Sequence, residues 1–135
     1  MIKKRAREIG LKFPGITGPN NAITDIQGIA VGYTTLIEGA GALKCGSGPI
    51  RPGVTALLPR GGDPIPKPVW AGVHRFNGNG EMTGTHWIED GGYFLGPIMM
   101  TNTHSVGRVH QAAVQWMIDT YPKHWGNEHL WAMPV

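Results

Sequence analysis

Apolar residues along this chain come mostly in short runs cut by glycine and proline, and only once do they recur at helical spacing. Residues 29–37 alternate loosely and are rich in β-branched and aromatic side chains, which predicts a strand. Residues 54–58 predict a second strand closed by Pro59, residues 69–76 a third, and residues 97–101 a short buried fourth. The period changes at Val106. Val106, Val109, Ala112, Ala113, Trp116, Met117 and Tyr121 fall on one helical face, with Arg108, Gln111, Gln115 and Asp119 opposite. This predicts a helix over 106–121 with Val109, Ala113, Trp116 and Met117 buried, Ser105 as its N-cap and Pro122 as its stop. Residues 85–90 can form one helical turn, closed by Gly91-Gly92. Residues 1–20 read as a lead-in punctuated by Pro14-Gly15 and Gly18-Pro19, and 38–51 and 60–67 as loops. Residues 123–129 are a polar connection, followed by the apolar run 130–135. An apolar run needs burial, so the chain is expected either to continue past Val135 or to dock this segment as a strand.

The stretch from Asn77 to Gly107 combines glycine with functional side chains. Glycine brings no contacts and costs backbone entropy, so such a stretch serves close approach and turning rather than packing. Asn77-Gly78 and Asn79-Gly80 are turn dipeptides that leave Glu81 at the mouth of a tight turn. A carboxylate there can hold a substrate α-amino group, pair with Arg75, or cap the turn. Asn102, flanked by Thr101 and Thr103, ends the fourth strand where the helix begins. It can donate hydrogen bonds into a cleft or simply hold the strand-to-helix corner together. Glu81 and Asn102 are the two substrate-binding candidates, and both are expected at one end of the sheet.

Size and charge narrow the classes. At 135 residues the chain holds one domain, and its 41% hydrophobic content is that of a globular protein rather than a disordered one. The net charge is +3, and Lys3, Lys4, Arg5 and Arg7 concentrate basic residues in a terminal tail, not a nucleic-acid patch. No apolar run approaches the ~18 residues of a membrane span, and no apolar segment follows the basic start as in a secretory signal. Cys45 is the single cysteine, which excludes an internal disulfide. Together these predict a cytoplasmic protein.

No residue stands out as a nucleophile. Ser47 lies in Cys45-Gly46-Ser47-Gly48-Pro49, which reads as a turn and not as a G-x-S-x-G elbow, and Ser105 is explained as a helix cap. Cys45 has no adjacent base and reads as a structural thiol. The six histidines His74, His86, His104, His110, His124 and His129 include no i, i+4 pair, so no metal is expected. His104 reads as a hydrogen-bonded loop residue. Gly78-Asn79-Gly80 lacks the lysine of a phosphate loop.

The run from Gly78 to Gly84 (G-N-G-E-M-T-G) and that from Gly96 to Gly107 (G-P-I-M-M-T-N-T-H-S-V-G) resemble the P1-type peptidases, the L-aminopeptidase/D-esterase and β-peptidyl aminopeptidase family. Residues 21–35 resemble the family's opening motif, and residues 51–55 its next strand. The resemblance implies an α/β fold, a layered α-β-β-α sandwich of which this chain supplies part of the sheets and one long helix. It implies the N-terminal part, residues 1–135, of a single aminopeptidase domain. Family members cut themselves at a downstream serine, whose hydroxyl and new α-amino group then act as nucleophile and base. That serine has no matching position here, so no catalytic residue is assigned within the chain. The implied activity is release of N-terminal residues from short peptides, amides or esters, with no metal or organic cofactor. The implied partners are the remainder of the precursor as a C-terminal chain and further copies in a homo-oligomer, with neither nucleic acid nor membrane. Two alternatives stay open: an acyltransferase of the ornithine acetyltransferase type, and a non-catalytic small-molecule binding or assembly module on the same scaffold.

Overall fold

The structure, a computed structural model, describes residues 4–124 and 133–135. Three strands form the main sheet: β1 (Ala30–Thr35), β2 (Gly53–Leu58) and β5 (Ile98–Met100), in the order β1-β2-β5 and antiparallel throughout. Ala30 pairs with Leu58 and Thr35 with Gly53, while Thr55 faces Met100 and Leu57 faces Ile98. A second, two-stranded sheet joins β3 (Val69–Trp70) to β4 (Tyr93–Phe94). Two helices complete the set, α1 (Thr85–Gly91) and α2 (Val106–Thr120).

Three of the expected strands appear where the pattern of β-branched residues placed them. The third is shorter than expected. Residues 69–76 pair only at Val69 and Trp70, because β4 offers just two residues opposite. Ala71 makes one more bond, donating to Gly92 O at 2.8 Å, and the chain then leaves the sheet. The fourth strand is half-buried and ends exposed at Met100, so it is not the buried strand expected.

The core lies where α2 meets the β4–β5 connection. Leu95, Ala113, Met117, Tyr121 and Met133 are buried together, with Tyr93, Met99 and Val114 packed against them. Gly96 makes this approach possible. Its φ is +84°, and a Cβ there would meet Met117 Sδ at 2.7 Å. Two constraints, backbone conformation and space, therefore coincide on one residue. α2 buries Val109, Ala113 and Met117 as expected. Trp116 departs from the expectation, remaining 37% exposed with its ring edge-on to Tyr121 at 5.9 Å. It stands at the rim of the apolar stripe, beside a cleft of about 180 Å³ between α2 and the β2–β5 face.

The start of α2 also differs. A 3₁₀ turn, Thr103–Ser105, precedes it, so Ser105 is already inside helical geometry and its hydroxyl makes no capping bond. The last described residues resolve the question raised by the apolar run. Met133, Pro134 and Val135 are buried, and Met99 N–H donates to Pro134 O at 2.9 Å. The segment docks beside β5 and leaves no free apolar end there. Residues 130–132 and most of the polar connection 123–129 lie outside the described residues.

Candidate functional site

Residues 73–85 wrap a cleft of about 390 Å³, lined by Val73, His74, Arg75, Glu81, Met82 and Thr85 together with the turn residues between them. Local chemistry shapes the turn. Asn79 N–H donates to Asn77 Oδ1 at 2.8 Å, a side chain standing in for a backbone partner. Gly78 and Gly80 have no atom within 4 Å of where a Cβ would sit, so this arm stands away from the body. Glu81 follows immediately and lines the cleft. Arg75 does not pair with it. Arg75 instead reaches Glu89 on α1 at 2.5 Å. The hydrogen bond from Arg75, with its charge, holds the Glu89 carboxyl below its usual range and raises the guanidinium in turn. Of the three readings open for Glu81, pairing with Arg75 is thereby removed. Glu81 makes no ion pair among the described residues.

The other end of this arm is fastened by Thr83, which sequence reasoning did not single out. Thr83 N–H donates to Val135 O at 3.1 Å. Its hydroxyl donates to Met133 O at 2.7 Å and accepts from Val135 N–H at 3.1 Å. An extended segment alternates its polar groups between two sides. Thr83 takes those of Met133 and Val135, and Met99 takes the carbonyl of Pro134 on the opposite side. Pro134 has no N–H to leave unsatisfied toward β5. No local pattern could reveal Thr83, because its partners lie about 50 residues further on.

The polar corner before α2 is arranged differently from the Glu81 cleft. Thr101 Oγ1 donates to Gly53 O at 3.0 Å, tying the end of β5 to the start of β2. Thr101, Ser105, Arg108 and Val109 line a cleft of about 250 Å³ with residues of β1 and β2. Asn102 is exposed, and its carbonyl accepts from Ser105 N–H at 2.9 Å. It lines neither this cleft nor the one that holds Glu81. The structure thus brings Glu81 together with His74 and Arg75, not with Asn102.

The remaining candidates fall in turns. Ser47 N–H donates to Lys44 O at 2.9 Å in the 38–51 loop. Cys45 is exposed, so it packs against nothing and is not the structural thiol expected. Asp25 organises the opening motif: Asn20 N–H, Asn20 Nδ2 and Ala22 N–H all donate to it. The bond from Ala22 leads in keeping its carboxyl below the usual range, with Asn20 and the Arg5 charge adding to it. Gly18 is close enough that a Cβ would meet Asp25 Oδ2 at 2.5 Å. This knot fixes the entry into β1 and does not face the Glu81 cleft. Among the described residues no three of His, Cys, Asp and Glu converge as a metal site would require, and no helix is long and apolar enough to cross a membrane.

Comparison with known proteins places this geometry. Residues 21–135 match the model of peptidase family S58. The chain is 55% identical over 122 residues to the β-peptidyl aminopeptidase BapA of Sphingosinicella microcystinivorans, covering 90% of this chain and 31% of that protein. It superposes with a TM-score of 0.83 and 55% identity on the L-aminopeptidase D-Ala-esterase/amidase of Ochrobactrum anthropi, over 98% of this chain and 36% of that one. That protein is described as a prototype for the serine aminopeptidases and a new variant of the Ntn hydrolase fold. A β-aminopeptidase from Burkholderia sp. gives a TM-score of 0.80 at 40% identity, over 98% of this chain and 35% of that one. The chain spans about a third of the length of the relatives it matches. Its sheets and helices are part of the αββα sandwich of these Ntn-type aminopeptidases. On the match over residues 21–135 and these identities, the chain belongs to peptidase family S58.

Proposed function

We propose that this chain is the N-terminal part of a self-processing serine aminopeptidase that releases N-terminal residues from short peptides, amides or esters. The observation that carries the reading is the 55% identity to a β-peptidyl aminopeptidase across 90% of the chain. In this reading the nucleophile is a serine outside residues 1–135, freed as a new N-terminus. Its hydroxyl adds to the substrate carbonyl, its own α-amino group takes the proton, and the leaving amine departs protonated. Water then releases the acyl group. Ser47 and Ser105, one in a turn and one in the first turns of α2, remain structural.

Glu81 is assigned to the substrate's α-ammonium group. Its carboxylate lines an open cleft and is not neutralised by Arg75, which Glu89 occupies. An available carboxylate offers a charge-assisted hydrogen bond to a protonated amine. Asn102 is assigned a secondary contact from the exposed corner before α2. The protein works as processed subunits in a homo-oligomer in the cytoplasm, without metal or organic cofactor. The test uses the full-length gene product with aminoacyl p-nitroanilides and their N-acetylated counterparts. Release of p-nitroaniline from the free-amine series alone, with KM raised by Glu81→Gln, is the expected result. Equal rates on both series would overturn the amine-binding role.

A further inference from the structure

We infer that Thr83 is a positioning residue for Glu81, an assignment that rests on the aminopeptidase reading above. The arm that carries Glu81 has little packing of its own. Residues 75–82 are all exposed, and its glycines touch nothing. It is attached on either side. Before it, Arg75 is tied to Glu89 on α1, a pair whose side chains are 60% and 40% exposed. A pair that open to solvent is a weak restraint. Beyond it, Thr83 is tied by three hydrogen bonds to a segment whose Met133 and Pro134 are fully buried. The second attachment is the rigid one, and it lies two residues from Glu81.

The chemistry of the anchor is specific. One hydroxyl serves as donor to Met133 O and acceptor from Val135 N–H, and so substitutes for a backbone partner at that point. Valine has nearly the same shape but offers neither function, and leaves both backbone groups of the segment unsatisfied. Serine keeps both. The geometry therefore makes the Thr83 hydroxyl, not its bulk, the element that fixes where the Glu81 carboxylate stands. Loss of that hydroxyl should weaken capture of the substrate amine while leaving the bond-breaking step largely intact.

The experiment is steady-state hydrolysis of an aminoacyl p-nitroanilide by the full-length protein and by Thr83→Val, Thr83→Ser, Glu81→Gln and the Glu81→Gln/Thr83→Val double variant. For two hydrogen bonds removed, KM should rise about tenfold in Thr83→Val with kcat changed much less. Thr83→Ser should stay within about threefold of wild type on the same reasoning. If Thr83 acts through Glu81, the double variant should be no worse in KM than Glu81→Gln alone. Wild-type KM in Thr83→Val, an equal rise in Thr83→Ser, or full additivity in the double variant would each overturn the inference. Should Thr83→Val fail to fold, Thr83→Cys takes its place: as a poor donor in similar volume it should raise KM, and an unchanged KM sinks the inference. A wild-type protein that hydrolyses no aminoacyl substrate would instead bring down the aminopeptidase reading itself.

Discussion

Gly96→Ala is the substitution whose cost the structure defines most closely. Two independent penalties meet at this residue. The backbone sits at φ +84°, where an L side chain is strained by about 1–2 kcal/mol. The added methyl would also lie 2.7 Å from Met117 Sδ and 3.2 Å from Met117 Cε. Met117 is fully buried, so its side chain can yield only by displacing Leu95, Ala113 or Met133. Overpacking of this kind costs about 1–3 kcal/mol. Gly92, which closes α1, separates the two terms. It has φ +72° but nothing within 4 Å of the would-be Cβ, so Gly92→Ala carries the conformational cost alone. Urea unfolding of the full-length protein should therefore place Gly96→Ala about 2–5 kcal/mol below wild type and Gly92→Ala about 1–2 below it. Shortening the thioether in Gly96→Ala/Met117→Leu should recover part of the difference. Equal losses at the two glycines would refute the claim that Met117 is seated directly on Gly96.

Met117→Ala should cost roughly 2–5 kcal/mol in the same assay, and more than Trp116→Ala, since Trp116 keeps much of its ring in solvent; the reverse order would invalidate the face assignment of α2. Tyr121 donates to Asp63 O at 3.0 Å, and burial, aided by the Asp63 charge, raises its phenol above the ordinary 10.0. The folded state then holds this proton more tightly than the unfolded one. Its contribution is intact below pH 10.0 and fades as pH climbs through the raised value, a decline that Tyr121→Phe should lessen when stability is followed up the alkaline limb. Asp25→Ala should open the 18–25 turn to limited proteolysis, because three donors lose their acceptor; an unchanged digestion pattern would count against its organising role. Residues 1–135 produced alone should release no p-nitroaniline. Turnover that disappears in Ser105→Ala would put the nucleophile inside this chain.

What was legible in the sequence was local. The β-branched runs gave β1 and β2, and the change of period with Pro122 gave α2 to within a residue. The periodicity located the buried stripe at Val109, Ala113 and Met117 but not its width, which depends on what covers it, and so Trp116 was placed too deep. β4 has two residues and no period to read, and its brevity is also why β3 stops at Trp70. Ser105 failed as a cap because the helix is entered through a 3₁₀ turn that begins two residues earlier. At the candidate site, the turn dipeptides placed Glu81 correctly in the cleft. Long-range pairings were out of reach: Arg75 chose Glu89 over the nearer Glu81, and Thr83 found its partners near Val135. Asn102 had suitable chemistry, but the corner that holds it turns its carbonyl to Ser105 and leaves it outside both clefts.

The central claim is that these residues belong to the first chain of a serine peptidase that creates its own nucleophile. Intact-mass analysis of the purified full-length gene product, with the new N-terminus sequenced, tests it most directly. The account predicts two chains, the shorter beginning with serine and the longer containing residues 1–135 unbroken. A single uncut polypeptide that nevertheless hydrolyses aminoacyl p-nitroanilides would contradict it, and a new N-terminus of threonine would point to acyl transfer instead.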